Sequence, residues 1–419
     1  MIYRKLGDAE VSALGFGAMR LPQLANGEID EKKTEEMVDL CMKSGVNYYD
    51  TAFPYHGGKS EIVLGKCLSK YDRKSYFLAN KYPGHQVASK YDPAETFAIQ
   101  LKKCNVDYFD FYLLHNVCES SLPVYDNPEY GIIDYFVKQK AEGKIKHLGF
   151  STHAQLECLE KILEKYGDKM DFCQIQLNYL DWTLQNADKK VELLKKYNIP
   201  IIVMEPVRGG KLAKLSEDKL AMLYEAASEE KTESKSTEDA VSNENALVNA
   251  ASEEKGSAAS YGFRWLLGID ESVKVILSGM TEYYQVEDNL KTFNNYKPLN
   301  DKEVKLLYAY AEEMKASVPC TACKYCVEGC PMGLDIPTML QVRNELQVAM
   351  TTNSAMVIEF LPEDKKPDVC IKCGACANIC PQKINIPSEL EWLAEKMKAL
   401  PKWREISKAR EEEAKQFKL

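Results

Sequence analysis

Residues 45–61 read GVNYYDTAFPYHGGKSE. The run Asn47–Asp50 is short, apolar and aromatic, so it is a strand candidate; it ends on an acid, and Tyr55 follows on the next loop. Seven similar runs recur in the first 296 residues: Leu14–Gly17, Tyr76–Asn80, Asp110–Leu114, His147–Phe150, Phe172–Gln176, Ile201–Met204 and Lys274–Leu277. Amphipathic helical stretches separate them, among them Glu31–Ser44, Pro93–Cys104 and Ile132–Glu142. Parallel strands buried on both faces need such continuous apolar runs. Eight βα units over this length predict an α/β (β/α)8 TIM barrel. A doubly wound sheet is the rival, but it calls for a Gly-rich turn after an early strand, and no G-x-G-x-x-G is present.

Downstream of the barrel, eight of the fourteen cysteines form two copies of C-x2-C-x2-C-x3-C-P: Cys320, Cys323, Cys326 and Cys330, then Cys370, Cys373, Cys376 and Cys380. This spacing holds [4Fe–4S] clusters, and the fourth cysteine usually serves the other cluster. The expected ligand sets are Cys320, Cys323, Cys326 and Cys380 for one cluster, and Cys370, Cys373, Cys376 and Cys330 for the other. Zinc also takes C-x2-C pairs, but it leaves half of each run unused. About forty residues of helical composition, including Thr338–Ala349, separate the runs and predict a mainly α-helical, ferredoxin-like two-cluster domain. The remaining cysteines, Cys41, Cys67, Cys104, Cys118, Cys158 and Cys173, lack ligand spacing and read as buried free thiols.

The domain plan is a barrel over 1–296, a helical linker over 297–318 with a helix at Asp301–Ala316, a cluster domain over 319–388 and a charged helical tail over 389–419. The tail is expected to pack over the module or the barrel. A polar insertion at 228–257 lacks aromatics and carries eight acidic and three basic residues; AASEEK occurs twice in the chain, at 226–231, overlapping its start, and at 250–255 within it. It reads as a solvated loop or loose helix. Hydrophobic content of 45% and charged content of 28% fit a globular protein. A net charge of −9 argues against a nucleic-acid partner. No apolar run is long enough to span a membrane, and the start lacks the apolar stretch of a signal peptide. With reduced thiolate ligands, this predicts a cytoplasmic protein.

In a barrel, the C-terminal strand ends face the active site. Asp50 closes the second strand, Lys81 follows the third in FLANKYP, and His115 follows the fourth in FYLLHN. With Tyr55, three consecutive strands bring four ionisable groups to one mouth. Each has an ordinary explanation alone: a helix cap, a packed loop ring, a surface charge, a core histidine. Jointly they form a coherent set. A lysine ammonium stabilises a phenolate and makes tyrosine a usable acid, an aspartate fixes the lysine, and a histidine hydrogen-bonds a carbonyl oxygen.

These motifs, with GFGAMRL (15–21) and DTAFPY (50–55), make residues 1–296 resemble the aldo-keto reductases. The whole chain resembles the bacterial and archaeal subgroup with a C-terminal 4Fe–4S domain. The resemblance implies reversible NAD(P)H-dependent carbonyl reduction on a small carbonyl or alcohol substrate. It makes Tyr55 the general acid/base, Lys81 and Asp50 its tuning pair, and His115 the group that orients the carbonyl. It implies cofactor contacts from Gly17, Met19 and Arg20, and nicotinamide contacts from Ser151, Thr152 and Gln174. Met204, Glu205, Pro206, Arg208 and Gly209, in MEPVRGGKL, lie along the cofactor. Gly279, Thr281, Gln285, Asp288 and Asn289, in LSGMTEYYQVEDN, grip its pyrophosphate and adenosine end. Two departures stand out. Met204 takes the place of a stacking aromatic, and Gln285 that of a basic residue, so NADP(H) or NAD(H) is open, with Arg208 and Lys211 as other sources of charge.

Nicotinamide delivers two electrons as hydride, whereas a cluster takes one. No flavin motif is visible, so a flavin adaptor is an unsupported addition. Three readings follow: a relay of single electrons to or from a ferredoxin- or flavodoxin-type carrier, an ordinary reductase with structural or redox-sensing clusters, and a non-catalytic nicotinamide sensor. Phe53, Tyr82, Asn116, Tyr179 and Trp182 are candidate pocket walls. The sequence names neither the substrate nor the oligomeric state.

Overall fold

The computed structural model describes residues 1–86, 88, 90–233, 256–315, 318–320, 322–348 and 352–415. Among the described residues there are ten strands: β1 Tyr3–Leu6, β2 Ala9–Ser12, β3 Leu14–Gly17, β4 Tyr48–Asp50, β5 Phe77–Tyr82, β6 Phe109–Leu114, β7 Ile145–Thr152, β8 Phe172–Gln176, β9 Ile201–Met204 and β10 Val273–Ser278. Strands β3 to β10 close a barrel in sequence order, with β10 beside β3, and every pair is parallel. All eight predicted strands are therefore present. Several run a residue or two further, because the ladder continues to pairs such as Tyr82↔Leu114 and Thr152↔Ile175. Lys81 thus lies within β5 rather than after it.

Principal helices are α1 Glu31–Lys43, α2 Ser60–Leu68, α3 Pro93–Cys104, α4 Ile132–Ala141, α5 Leu156–Tyr166, α6 Ala187–Lys196, α7 Glu217–Glu233, α8 Ala258–Ile269, α9 Tyr283–Asn294, α10 Asp301–Lys315, α11 Ile336–Val348, α12 Thr352–Glu359, α13 Ile386–Ala399 and α14 Trp403–Lys415. Local chemistry sets their starts. Asp30 accepts from Lys33 N at 3.0 Å to cap α1, and Asp92 with Pro93 opens α3. Helix α1 buries Thr34, Met37, Val38 and Cys41, the spacing of one helical face. Helices α2 and α3 pack so closely that a Cβ at Gly65 would lie 2.5 Å from the Cys104 carbonyl oxygen. Gly65→Ala is expected to lower the unfolding free energy by about 1–3 kcal/mol, read from the urea midpoint under anaerobic conditions.

The hairpin β1–β2 was not among the expected elements. It is antiparallel, and Leu6, Ala9 and Val11 share a core with Tyr48, Phe111, Phe172, Ile202 and Val275 from inside the barrel. It closes the end remote from the C-terminal strand ends. The Arg4 guanidinium donates to the carbonyls of Val273 and Leu267, which anchors it there.

The expected linker helix is part of the barrel's packing. Leu307, Tyr310 and Ala311 of α10 belong to the main barrel core, and α10 packs on α7. The segment after α10 forms its own core from Leu334, Ile336, Met339, Leu340, Ile358, Leu390 and Leu393. Among its described residues there are helices and no strands. The two cysteine runs fold alike: Ala322 and Lys372, Lys324 and Gly374, and Gly333 and Lys383 all have positive φ. This module docks on the barrel. Val348 enters the barrel core, Lys211 Nζ donates to the Val348 carbonyl, and Gln341 Nε2 donates to Gln155 Oε1 at 3.3 Å. The polar insertion expected at 228–257 lies mostly outside the described residues; up to Glu233 it continues α7.

Candidate active site

Asp50, Lys81 and His115 come together at one rim with Tyr55 because β4, β5 and β6 are neighbours in register. Asp50 ends β4 and pairs with Ala79, while Lys81 pairs with Leu113, two residues before His115. Tyr55 stands on a short 3-10 turn, Tyr55–Gly58, just before α2.

Lys81 is the hub. Its Nζ donates to Asp50 Oδ1 at 2.5 Å, to the Thr51 carbonyl at 2.8 Å and to the Tyr55 hydroxyl at 3.5 Å. Lys81 and Asp50 are both fully buried. Burial raises the Asp50 carboxyl and the Lys81 charge lowers it. Burial works against the Lys81 ammonium, yet Asp50 and Tyr55 together hold it above the ordinary lysine range. The three hydrogen-bond acceptors around Nζ favour the charged lysine. Asp50 Oδ2 is buried with no hydrogen-bond partner. His115 meets the Tyr55 ring edge-on at 6.0 Å. Its carbonyl accepts from Tyr125 Oη at 2.7 Å, which fixes its backbone.

A layer of polar groups that the sequence did not single out supports the hub. Glu61 Oε1 accepts from Asn80 Nδ2 at 2.8 Å and Gln100 Nε2 at 2.9 Å, and Gln100 also donates to the Lys81 carbonyl at 3.0 Å. Lys103 Nζ donates to Glu61 Oε2 at 3.1 Å and to the Gly58 carbonyl at 2.9 Å. This buried network ties the Tyr55 turn, β5 and α3 together. Glu61 lies just beyond GGKS, but nothing local marks it as buried.

The predicted cofactor residues fall into three groups. Gly17, Ser151, Thr152 and Gln174 lie on barrel strands. Ser151 Oγ accepts from Asn116 N at 2.8 Å, and Thr152 Oγ1 donates to the Val117 carbonyl at 2.6 Å. Gln174 is buried, and its Oε1 has no hydrogen-bond partner. That orphaned acceptor fits a carboxamide N–H. A second group surrounds Arg20. A Cβ at Gly209 would come within 3.1 Å of its guanidinium, one at Gly279 would touch its aliphatic stem at 3.5 Å, and Thr281 Oγ1 donates to its carbonyl at 3.2 Å. Met19 and Arg20 are exposed there.

A third group is committed to the local fold. Gln285 Oε1 accepts from Thr281 N and Glu282 N at the start of α9, Asp288 accepts from Ser257 Oγ at 2.6 Å, and Asn289 donates to Ser278 Oγ at 2.9 Å. The two alternative sources of charge differ: Arg208 is buried, whereas Lys211 is exposed. Arg208 is buried in an ion pair with Asp181, and Lys211 reaches into the module. Met204 and Pro206 flank Glu205, whose backbone has positive φ (53°). Burial, with Asp181 adding to it, pushes the Glu205 carboxyl up to about 7, against Arg208 and Arg20. Among the candidate pocket walls, Tyr179 and Trp182 pack edge-on against Trp265, and Tyr82 lies tilted against Phe136; these are core contacts.

In the module, Cys320, Cys323, Cys326 and Cys380 line one pocket with Pro337, Leu340, Ile384 and Ile386. Cys330, Cys370, Cys373 and Cys376 line the other with Leu334, Ile336 and Leu390. In each pocket the fourth cysteine comes from the opposite run. Four thiols in an apolar shell are the donor set of a [4Fe–4S] cluster. Among the described residues no group of three His, Cys, Asp or Glu is arranged to hold a metal ion. A cubane brings its own sulfides and needs a wider pocket than one tetrahedral ion. The other six cysteines are all buried. Burial pushes the Cys41 and Cys158 thiols up to about 12 and Cys67 to about 11, where they are poor nucleophiles.

Comparison with known proteins follows this division. A model described as the aldo/keto reductase family matches residues 13–312, and one described as a 4Fe-4S dicluster domain matches residues 319–384. "Probable aldo-keto reductase 1" of Glycine max is 24% identical over 209 residues, 48% of this chain and 57% of that protein. "Uncharacterized oxidoreductase YqkF" of Bacillus subtilis (strain 168) is 23% identical over 321 residues, 74% of this chain and 96% of that protein. The chain spans less than two thirds of the Glycine max relative. A crystal structure of an aldo-keto reductase from Klebsiella pneumoniae in complex with NADPH superimposes with a TM-score of 0.54 at 19% identity, covering 74% of this chain and 96% of that one. The barrel, its strand order and the family match over residues 13–312 agree: the chain belongs to the aldo/keto reductase family and carries a C-terminal 4Fe-4S dicluster domain.

Proposed function

We propose that the protein is an NAD(P)H-dependent oxidoreductase that reduces a small carbonyl compound and, in reverse, oxidises the alcohol. The observation that carries this reading is the buried Lys81, which bridges Asp50 and the Tyr55 hydroxyl. A bound nicotinamide supplies the hydride. Tyr55 gives its hydroxyl proton to the carbonyl oxygen as the hydride reaches the carbon. The Lys81 ammonium stabilises the phenolate left behind, and Asp50 holds that ammonium in place. His115, edge-on to Tyr55, orients the carbonyl oxygen. Gln174 Oε1 and Ser151 suit the carboxamide, and the exposed Arg20 guanidinium among Gly209, Gly279 and Thr281 suits the pyrophosphate. The Klebsiella pneumoniae structure holds NADPH, which favours NADP(H). Equal affinity for NADPH and NADH by fluorescence titration would remove that preference.

Two [4Fe–4S] clusters, held by the two crossed cysteine sets, relay single electrons to or from a ferredoxin- or flavodoxin-type carrier, two electrons and one proton balancing each hydride that NAD(P)H gives or NAD(P)+ takes up. What favours relay over a purely structural role is exposure. Cys323 and Cys373 are the exposed ligands, one in each set, so each cluster has an edge at the surface. Anaerobic purification should yield about eight irons and eight sulfides per chain. Cys373→Ser should lose about half of the iron and slow carrier-coupled turnover. NAD(P)H-driven carbonyl reduction should persist. If a reduced carrier never changes the cluster absorbance, the relay is wrong and the clusters are structural.

A further inference from the structure

The rings at the mouth do not end with Tyr55 and His115. His115 lies against His85, with ring centres 4.3 Å apart, and His85 stacks on Trp403 at 5.7 Å and 26°. Tyr55, His115, His85 and Trp403 therefore form one continuous chain of rings. Trp403 opens α14, the C-terminal helix, and is only 5% exposed.

Both outer rings are firmly held. His85 stands in a turn closed by Gln86 N donating to the Pro83 carbonyl at 2.9 Å. Gly84 lets that turn lie on Tyr125, since a Cβ there would come within 2.7 Å of its ring. The same Tyr125 hydroxyl donates to the His115 carbonyl, so the two histidines share one anchor. Trp403 is placed by the module. Glu359, the last residue of α12, accepts from Trp403 N at 2.6 Å and Arg404 N at 3.2 Å, which caps the first turn of α14. Helix α14 then packs on the Tyr55–Gly58 turn. The chain leaves the barrel, builds the module and returns to cover the mouth it left.

A carbonyl held by both Tyr55 and His115 lies at the inner end of this row of rings. We propose that Trp403, with His85, is the roof of the substrate pocket, and that it limits the protein to slender, unbranched aldehydes and ketones. Flat imidazole and indole surfaces accept a linear or planar substituent. They clash with a branched one, because the roof is anchored from both the barrel and the module. The size limit rests on the carbonyl-reductase reading given above; the roof itself does not.

The test uses the full chain with its clusters, under anaerobic conditions. The first readout is the rate of carbethoxylation of each histidine by diethyl pyrocarbonate, followed by mass spectrometry. In Trp403→Ala, His115 and His85 are expected to react at least about tenfold faster than in the wild type, and in Trp403→Phe at close to the wild-type rate. His147, stacked on Phe111, pairs with Asp8 of the hairpin turn at the opposite end and reports on the fold; its rate should not change. If His147 speeds up in Trp403→Ala, Glu359→Gln replaces it, with the same expectation for His115. The second readout is kcat/KM for butanal against 2,2-dimethylpropanal. Removing the indole should shift the ratio at least about tenfold toward the branched aldehyde, the scale of a pocket steric term. Unchanged His115 labelling in a folded variant overturns the roof. Faster labelling with an unchanged ratio overturns the size limit. If the wild type reduces neither aldehyde, the carbonyl-reductase reading and the size limit fall together, while the labelling still decides the roof.

Discussion

Tyr55→Phe is expected to lower kcat for carbonyl reduction by about 10²–10⁴-fold while visible cluster absorbance and melting temperature stay close to wild type. The substitution removes one oxygen and little else. The phenylalanine ring can keep the edge-on contact with His115 and its place beside the Lys81 ammonium, which lies 5.0 Å from the ring centre. Lys81 keeps its bonds to Asp50 and the Thr51 carbonyl, so the buried charge remains compensated. What is lost is the only hydroxyl that Lys81 Nζ reaches among the described residues, and with it the proton donor. Steady-state kinetics on one carbonyl substrate and its alcohol should fall together, because the same proton moves in both directions. Turnover above about a tenth of wild type would show that another group supplies the proton.

Lys81→Met is expected to be the most damaging single change to both activity and stability. Asp50 would stay fully buried with its cation gone, and breaking such a pair from one side costs about 3–5 kcal/mol. The penalty should depend on pH. Burial already raises the Asp50 carboxyl against the pull of Lys81, and without that pull it rises further. A carboxyl whose folded-state pKa lies above its unfolded value stabilises the fold while protonated and loses that contribution as pH rises through the folded value. The variant should therefore melt nearer to wild type in mild acid than in mild base. Adding Asp50→Asn should recover much of the stability and none of the activity, a non-additivity expected of two residues in one buried pair. Equal penalties for single and double variants, flat with pH, would mean that the pair does not carry its charge in the native state.

The eight barrel strands were legible because a strand buried on both faces is built mostly from apolar and aromatic side chains, with polar ones confined to a few positions such as Asp50, Lys81 and Gln174. The hairpin β1–β2 was not legible. It covers only one end of the barrel, so half of its residues are exposed and its run YRKLGDAEVS lacks a continuous apolar stretch. The Asp50, Tyr55, Lys81 and His115 set was legible because strand ends in a barrel share a rim whatever their sequence separation. The Glu61, Gln100 and Lys103 network beneath it was not, because a glutamate on a helix looks the same in sequence whether it faces solvent or the strand behind it. Arg208 shows the converse: its neighbours Gly209 and Gly210 suggest an exposed loop, yet closure of the barrel buries its guanidinium against Asp181.

By itself the sequence determined what depends on local spacing and strand periodicity: a (β/α)8 barrel, four groups at its mouth and two four-cysteine runs. Spacing along the chain is enough there, because neighbours in space are neighbours in sequence or in strand order. Only the tertiary structure decided that α10 belongs to the barrel, that Val348 and Lys211 join the two domains, and that Trp403 lies over His85 above Tyr55. Those contacts join residues far apart in the chain: 91 positions for Lys219 and Tyr310, and 137 for Lys211 and Val348. They exist because the module docks beside the barrel mouth and its last helix packs on the Tyr55–Gly58 turn, where the indole is buried.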